Sequence, residues 1–458
     1  MSHTLLAHLQ HGLIRLATIS PRVLASPPTQ PRRASVALIL RIRPAAEDEA
    51  WLRAKWRQGE ASEEDAHLFP SMSQQDANGT MTTEARLRQF FALPWVQRGT
   101  PEVLFIKRAV REGDNWSSHV AFPGGRRDPE DESGVYTAMR ETWEEVGIDL
   151  ADKEFLHVGH LEDREITSSL GKRLLMILSP YVFMQLSPFS PLPNLQPTEV
   201  SSLHWVPLSL LFTPTPKWGT LHIDIARHAP RSTFVRLLLQ MLVGKMSFRC
   251  IELANAPSAL PLQDAAQILP DVKGPVPPVR VEDDDTLQLS PSQQEYVASH
   301  TPPLQLWGLT LGMTLDFLSH MATYNMHVLP KEPPAMSSLK RFLSHTPSAW
   351  LLGSPQTSVL AQKAPSTSEV FPRFTYPDVN FWIWMFGWRY RAIHRRWQES
   401  IGTELEHHAH WSGLAMAAFY SCVRRALVLT MVLRAMGLVT LASLGTWFTL
   451  RRFRRAHL

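Results

Sequence analysis

The stretch that decides the fold runs from Phe122 to Ile148 and reads FPGGRRDPEDESGVYTAMRETWEEVGI. Its second half has a helical pattern in which Glu141, Glu144 and Glu145 lie three and four residues apart, so the three carboxylates project from one side of a helix. Like charges at this spacing repel one another, and a cation must compensate them. Carboxylate oxygens suit hard divalent ions, so the pattern predicts a Mg²⁺ or Mn²⁺ site.

The residues around the three glutamates have structural roles of their own. The double glycine Gly124-Gly125 allows positive φ and a close approach of the backbone to a ligand. Arg140 can pair with a carboxylate and fix its orientation, and Gly147 is a typical residue just past a helix end. Ala138, Val146 and Ile148 are expected to face the core. The segment is therefore predicted to be both a structural turn and a metal cradle.

Gly-Gly followed by Arg-Glu-x-x-Glu-Glu-x-Gly-Ile resembles the Nudix box. Counting back from Arg140, Glu132 falls at the family's isolated glutamate, whereas the expected glycine is Arg126, with Gly125 one place early. This offset, and the Phe-Pro-Gly-Gly-x-x-Asp-Pro pattern from Phe122 to Pro129, resemble the coenzyme A pyrophosphatase branch. The resemblance implies an α+β fold: a Nudix α/β/α sandwich with a mixed sheet and long insertions.

The resemblance extends over roughly Ser35 to Leu318, insertions excepted. The segments that carry it beyond the box are Leu104–Ala109, Glu199-Val200 with Trp205–Leu208, and Trp307–Thr310. The branch also has an arginine and a glycine before Phe-Pro-Gly-Gly, and this chain has Asp114 and Ser118 there instead. The departure concerns coenzyme A recognition and leaves the glutamate helix intact.

The family resemblance implies specific roles for the site residues. Glu141, Glu144 and Glu145 would bind the metal, Glu144 or Glu145 would accept a proton from the attacking water, and Arg140 would assist catalysis. Glu132 and Glu199 are additional candidates, Glu199 being either a helper ligand or a surface acid. The candidates for substrate and phosphate contacts are Gly124, Gly125, Lys107 and Arg126.

The remaining strands and insertions follow from composition. Strands are expected from Ser35, at 102–108, 155–162, 174–186 and 202–206, where β-forming residues alternate or cluster. Residues 44–100 look like an insertion, and so do residues 256–300, whose prolines and acid run predict a solvated loop. A helix over Leu304–Leu318 would close the domain.

The chain of 458 residues has only two cysteines, Cys250 and Cys422, which argues against a disulfide framework or zinc–cysteine cluster. Residues 1–34 form a basic segment ahead of a catalytic domain at 35–325. The first acid in the chain is Glu47, as in a mitochondrial transit peptide, but an amphipathic helix packed on the domain would have the same composition. The sequence leaves both open.

Residues 326–375 are rich in proline and serine and are expected to be a linker to a helical region at 376–458. Its apolar run, Ala426–Leu450, is long enough to cross a bilayer of about 30 Å. Arg434 opposes insertion by about 2.5 to 3.5 kcal/mol, but the leucines, valines and phenylalanine outweigh it. An apolar hairpin packed on the enzyme, or lying flat on a membrane, is the alternative.

The region 376–458 contains two further residue patterns. Glu404 and His408 have helical spacing for zinc, but no second ligand cluster accompanies them. Tryptophans interleaved with arginines over Tyr376–Trp397 favour a membrane interface over a nucleic acid partner.

The sequence therefore supports two hypotheses of function. The first is a metal-dependent hydrolase of the pyrophosphate bond in a nucleoside diphosphate-linked substrate, with coenzyme A or acyl-CoA as the best single candidate. The second is a membrane-bound module that binds a nucleotide without turnover. Either would be an intracellular, membrane-associated protein, with mitochondrion and peroxisome as candidate locations.

Overall fold

A computed structural model provides the three-dimensional structure of the chain. It describes the following residues: 2–21, 23–57, 81–110, 119–168, 173–213, 216–224, 245–264, 279–280, 286–321, 373–393 and 411–456.

The helices among these residues are α1 Ser2–Thr18, α2 Ala46–Arg57, α3 Thr83–Ala92, α4 Pro94–Arg98, α5 Gly134–Val146, α6 Leu208–Leu211, α7 Pro291–His300, α8 Gly308–Met321, α9 Pro377–Phe386 and α10 Trp411–Ala456. The strands are β1 Arg33–Arg43, β2 Thr100–Arg108, β3 Val120–Ala121, β4 Gly124–Arg126, β5 Phe155–His160, β6 Arg164–Ser168, β7 Arg173–Gln185, β8 Val200–Pro207, β9 Trp218–Asp224, β10 Lys245–Leu253, β11 Ala259–Pro261, β12 Val279–Arg280, β13 Thr286–Gln288, β14 Leu304–Trp307 and β15 Arg373–Phe374.

The main sheet has the order β12-β13-β11-β8-β2-β1-β7-β5, with β3, β4 and β6 added to β2, β1 and β7. Strands β1 and β7 pair in parallel, and the other recorded pairs in this sheet are antiparallel. The sheet is therefore mixed, and the α+β class expected from the resemblance is confirmed. The five strands predicted from the sequence all occur, with bounds that agree to within two residues.

Hydrophobic cores lie on both faces of the main sheet because β1 and β2 are apolar at successive positions. On one face, Ala37, Ile39 and Leu104 pack against α5. On the other face, Leu38 and Phe105 pack in a larger core with helices α1, α3, α4 and α8. Each strand thus contributes alternate side chains to two layers. This arrangement holds α5 rigidly on the sheet.

Helix α1 is part of the larger core. Its residues Leu6, Leu9, Leu13 and Leu16 are buried at helical spacing. The structure thus shows α1 packed in this core, and the transit peptide stays a sequence-based prediction. Burying four leucines stabilises the fold by about 1.5 to 3 kcal/mol for each side chain.

Two sequence expectations for the second half of the domain are wrong. The segment 256–300 is not a solvated loop throughout, because β11 and β13 extend the main sheet and α7 follows them. Leu304–Trp307 is a strand rather than the start of a helix, and α8 begins only at Gly308. Strand β14 pairs with β10 in a second sheet of order β14-β10-β15, with β9 on β10.

The C-terminal region packs as a helical hairpin. Helix α9 and the first part of α10 share a small core with Phe374 of β15 and Met246 of β10. Within the residues that the structure describes, α10 contains one stretch, Ala418–Thr449, that is long and apolar enough to cross a membrane; the mean hydropathy of an 18-residue window within it is 2.0. Glu404, His408 and the greater part of the expected linker lie outside the described residues.

Candidate functional site

Helix α5 carries the three glutamates, and its ends are fixed by local chemistry. The Ser133 hydroxyl accepts a hydrogen bond from the Tyr136 amide and caps the first turn. At the other end Gly147 adopts the left-handed conformation, with φ of 71°, as its predicted role requires. Ala138 and Val146 are fully buried against the sheet, as expected. The helix therefore presents its glutamates from a defined position.

Glu145 is the buried member of the three. Its side chain is 3% exposed, and its Oε2 accepts the Gly124 amide at 2.9 Å. The Arg108 guanidinium lies 3.9 Å from Oε1. Burial raises the pKa of Glu145 to about 8, and the nearby carboxylates of Glu141 and Glu199 add to the increase. A carboxylate here is held in place by the protein, and the Gly124 amide and Arg108 offset only part of the effect of burial on its charge.

Glu141 lies against the double glycine. A Cβ on Gly125 would overlap the Glu141 carboxylate, so only glycine leaves room for it there. Gly124 has φ of +145° and packs on the backbone of β1 at Ser35 and Val36. The close approach expected of the glycines is therefore made to β1 and to Glu141. Burial raises the pKa of Glu141 too, although Arg140 opposes the shift.

Arg140 organises the acids around the helix. Its Nε donates to Asp131 at 2.9 Å, its Nη1 to Glu144 at 2.9 Å, and its Nη2 to Glu141 at 3.0 Å. The hydrogen bond from Arg140 is the main cause that lowers the pKa of the buried Asp131 to about 2. Glu144 remains 55% exposed, so the three glutamates do not share one environment as the spacing alone predicted. The exposure of the side chain decreases from Glu144 through Glu141 to Glu145.

The two additional glutamates differ in position. Glu199 is half-buried just before β8 and interacts electrostatically with Glu141 and Glu145. The loop that leads to it is tied to α5, because the Gln196 amide donates to the Glu145 carbonyl at 3.0 Å. Glu132 is exposed, and only its carbonyl is engaged, by Arg127. The structure thus brings Glu199 to the site and leaves Glu132 at its margin.

Among the candidate phosphate contacts, Lys107 is directed away from the carboxylates. Its side chain shares the face of β2 with Phe105, opposite to α5, where it interacts with Asp264 and lies near His204. Arg108 follows on the α5 face, beside Glu145. Arg126 is exposed on β4, and its carbonyl accepts a hydrogen bond from Arg140.

Arg108 and Asp131 are therefore site residues that the sequence analysis did not select. The alternation of side chains along β2 is a signal that identifies Arg108, because Leu104, Ile106 and Arg108 share one face. No comparable pattern identifies Asp131. Its contact with Arg140 depends on the turn at Asp128, which places the Asp131 carboxylate beside α5.

A divalent ion at this site would have to be held by the carboxylates described above. Within the described ranges, no group of three or more His, Cys, Asp or Glu side chains is already arranged to hold a metal. Mg²⁺, however, keeps several waters and needs only one or two carboxylates beside the substrate's phosphates. Glu141 and Glu145 supply these, with Glu199 near them. A cation would stabilise the two carboxylates, whose pKa values are raised mainly by burial and further by neighbouring acids. The residues fit such an ion.

Several known proteins are similar in sequence to parts of this chain. Residues 86–227 match the family model described as NUDIX domain. An uncharacterised protein of Schizosaccharomyces pombe is 34% identical over 250 residues, which are 54% of this chain and 63% of that protein. The mitochondrial coenzyme A diphosphatase NUDT8 of Mus musculus is 42% identical over 53 residues, 12% of this chain and 25% of its own length. The chain spans less than two thirds of the length of either relative.

Among solved structures, a MutT/nudix family protein from Enterococcus faecalis aligns at a TM-score of 0.22 and 13% identity. The alignment covers 41% of this chain and 45% of that one.

Proposed function

We propose that the chain, whose residues 86–227 match the NUDIX domain model, is a divalent-metal-dependent hydrolase of the pyrophosphate bond in a nucleoside diphosphate-linked substrate. The observation that carries the proposal is the buried carboxylate of Glu145, held by the Gly124 amide next to Glu141 and Glu199. Burial raises the pKa values of Glu141 and Glu145, and a bound cation would favour their ionised forms at neutral pH.

Each residue of the site has a role in this proposal. Glu141 and Glu145 would hold a Mg²⁺ or Mn²⁺ ion, with Glu144 at the solvent edge and Glu199 as a further acid. A bound divalent ion would stabilise the charge that develops on the phosphate oxygens. Glu144 or Glu145 would accept the proton of the attacking water, and Arg140 keeps the glutamates in register. Replacing Glu144 and Glu145 by Gln, one at a time, separates the contributions of these two glutamates to catalysis.

Arg108 is assigned to the substrate. Its guanidinium lies on the same face of the sheet as Glu145 and is part-exposed, so it can reach a phosphate bound in front of the carboxylates. A planar guanidinium binds phosphate oxygens in a bidentate manner. Arg108 replaces Lys107 as the cation expected to contact the pyrophosphate.

Coenzyme A or an acyl-CoA is the proposed substrate. Two findings support it: the Phe122–Pro129 pattern of the coenzyme A pyrophosphatase branch, and the similarity to a protein named as a coenzyme A diphosphatase. Cleavage of its pyrophosphate by water would yield 4′-phosphopantetheine and adenosine 3′,5′-bisphosphate, each product keeping one of the two phosphates of the pyrophosphate.

The test is a product assay with the full-length protein over a panel of coenzyme A, acyl-CoA, nucleotide sugars and dinucleoside polyphosphates. Wild type, Glu145→Gln and Glu295→Gln are compared with Mg²⁺, with Mn²⁺ and with a chelator. Glu295 is an exposed glutamate on α7 and serves as the control. We expect metal-dependent turnover that Glu145→Gln abolishes and Glu295→Gln retains.

Absence of turnover for every substrate would contradict the hydrolase. Substrate binding without turnover would instead favour the second hypothesis, a nucleotide-binding module. Turnover confined to another member of the panel would retain the hydrolase and overturn coenzyme A as its substrate.

We also propose that α10 associates with an internal membrane. Only 11% of an 18-residue apolar window of this helix is buried, unlike the core helix of a globular domain. The name of the mouse relative points to the mitochondrion, with the peroxisome as the other candidate. Extraction of the membrane pellet at high pH tests the association, since an anchored protein stays in the pellet.

A further inference from the structure

Helix α10 changes its surroundings abruptly at Arg434. Before this residue, Phe419, Val423 and Ala426 are buried against α9. After it, every residue from Ala435 to Thr449 is exposed except Gly437, which is partly covered. This second part contains no charged residue, and its exposed apolar side chains are Met436, Leu438, Val439, Leu441, Leu444, Trp447 and Phe448.

The same kind of contact lies at each end of this exposed part of α10, Ala435–Thr449, which is called the bare helix below. At its start, the Arg434 guanidinium lies 4.3 Å from the centre of the Tyr376 ring. At its end, the Arg451 guanidinium lies 4.9 Å from the ring of Trp447. Arginine and aromatic rings are enriched where membrane helices meet the headgroups. Arg434 and Arg451 are seventeen positions apart, which corresponds to about 25 Å of helix, close to the hydrocarbon thickness of a thin bilayer, about 27 Å.

Arg434 is also paired with an acid. Its Nε and Nη2 donate to Asp378 at 2.7 to 2.9 Å, and Asp378 lies in the first turn of α9. Helix α9 runs antiparallel to α10, because Phe386, at its other end, contacts Cys422. The hairpin therefore ends at the ion pair, and beyond it α10 continues alone.

From these observations we propose that the Asp378–Arg434 pair lies at one surface of a lipid bilayer. Ala435–Leu450 then lies in the hydrocarbon, and the arginines that follow lie at the opposite headgroups. This assignment rests on the proposed membrane association and is independent of the hydrolase. It moves the start of the membrane segment from Ala426, expected from hydropathy, to Ala435. It also answers the sequence-based objection to Arg434, which enters the interface paired with an acid.

The positive charge that follows the bare helix indicates that its surroundings are a bilayer with anionic lipids. After Glu406 the chain has no acidic residue, whereas Arg451, Arg452, Arg454 and Arg455 follow the bare helix directly. Such a cluster attracts anionic headgroups. A second copy of α10 would bring these arginine clusters together and would be opposed by their repulsion.

The experiment measures depth in the membrane. A fluorophore is attached to single cysteines at Val432, Leu438, Ser443 and Phe448 of the full-length protein, and the two native cysteines are buried. The proteins are reconstituted in vesicles of phosphatidylcholine and phosphatidylglycerol whose acyl chains carry bromine at known depths. We expect the deepest quenching at Ser443, intermediate depth at Leu438 and Phe448, and headgroup depth at Val432.

Three results would overturn the assignment. Equal shallow depth for the four positions would mean a helix that lies flat. Deep quenching at Val432 would place the surface above the ion pair. No quenching at any position would contradict the membrane association itself, and a dimer in a sedimentation experiment would then identify a second copy as the occupant.

Discussion

The burial of Glu145 determines what a substitution there does to stability as well as to activity. Its folded pKa of about 8 lies above the ordinary value, so this group lowers stability as pH rises above the unfolded pKa. Without added metal, Glu145→Gln should therefore raise the free energy of unfolding at pH 7 by about 3 kcal/mol, measured by urea denaturation. The same variant should lose hydrolysis by about 100-fold or more.

Glu144→Gln is the internal comparison. Its carboxylate is exposed and paired with Arg140, so the variant should change stability by less than about 0.5 kcal/mol and lose less activity than Glu145→Gln. A stability loss in Glu145→Gln would show that the carboxylate serves the fold, contrary to this account.

Gly125 tests the position of Glu141 without removing a carboxylate. The added methyl of Gly125→Ala would displace the Glu141 carboxylate, while the backbone of Gly125 needs no positive φ. Activity is expected to fall about 100-fold, since small misplacements at a reacting centre cost that much. Gly445→Ala, whose methyl meets no neighbouring atom, is the control. Full activity in Gly125→Ala would exclude Glu141 from the site.

His204 predicts an acid-sensitive fold. It is 1% exposed, it contacts the Ser202 hydroxyl at 2.8 Å, and burial lowers its pKa to about 3. A histidine kept neutral in the fold contributes its full stability above the unfolded pKa of about 6.5 and loses it as pH falls towards 3. Between pH 7 and pH 5 the loss should be about 2 kcal/mol. Denaturation curves of wild type and His204→Gln at both pH values measure it, and parallel losses in the two proteins would contradict it.

At the scale of elements, α5 depends on the pairing of Arg140 with Asp131. Asp131 has a pKa of about 2, so its contribution is present above the unfolded value near 4 and is lost as pH falls towards 2. Removing one partner of a buried pair costs about 3 to 5 kcal/mol. Arg140→Met should cost that much at pH 7, and less once acid has neutralised Asp131. Arg53→Met, whose exposed partner is Glu49, should cost less than about 1 kcal/mol.

Sequence patterns predicted α5 well because its signals are local: the glutamate spacing, the terminal glycine and the buried Ala138 and Val146. The strand at Leu304–Trp307 was missed because its apolar residues fit both periods, and only its partner β10 decides between them. Sheet extension by β11 and β13 likewise depends on pairing with β8, which no local pattern contains.

At the scale of the molecule, the positions of several residues depend on contacts between distant parts of the chain, which local sequence patterns do not contain. The choice between Lys107 and Arg108 depends on which face of β2 receives α5. The packing of α1 likewise depends on long-range contacts, because its four leucines enter a core formed with strands and helices far away in the chain. The partner of Arg434 lies 56 residues away in the chain, so hydropathy alone could only count its charge as a penalty.

The central claim is that Glu145 and its neighbouring carboxylates hold a divalent ion. Titration of the full-length protein with Mn²⁺, followed by electron paramagnetic resonance, measures this without any substrate. Wild type and Glu295→Gln are expected to bind Mn²⁺ equally, and Glu145→Gln at least about tenfold more weakly. Equal binding by all three proteins would contradict the account.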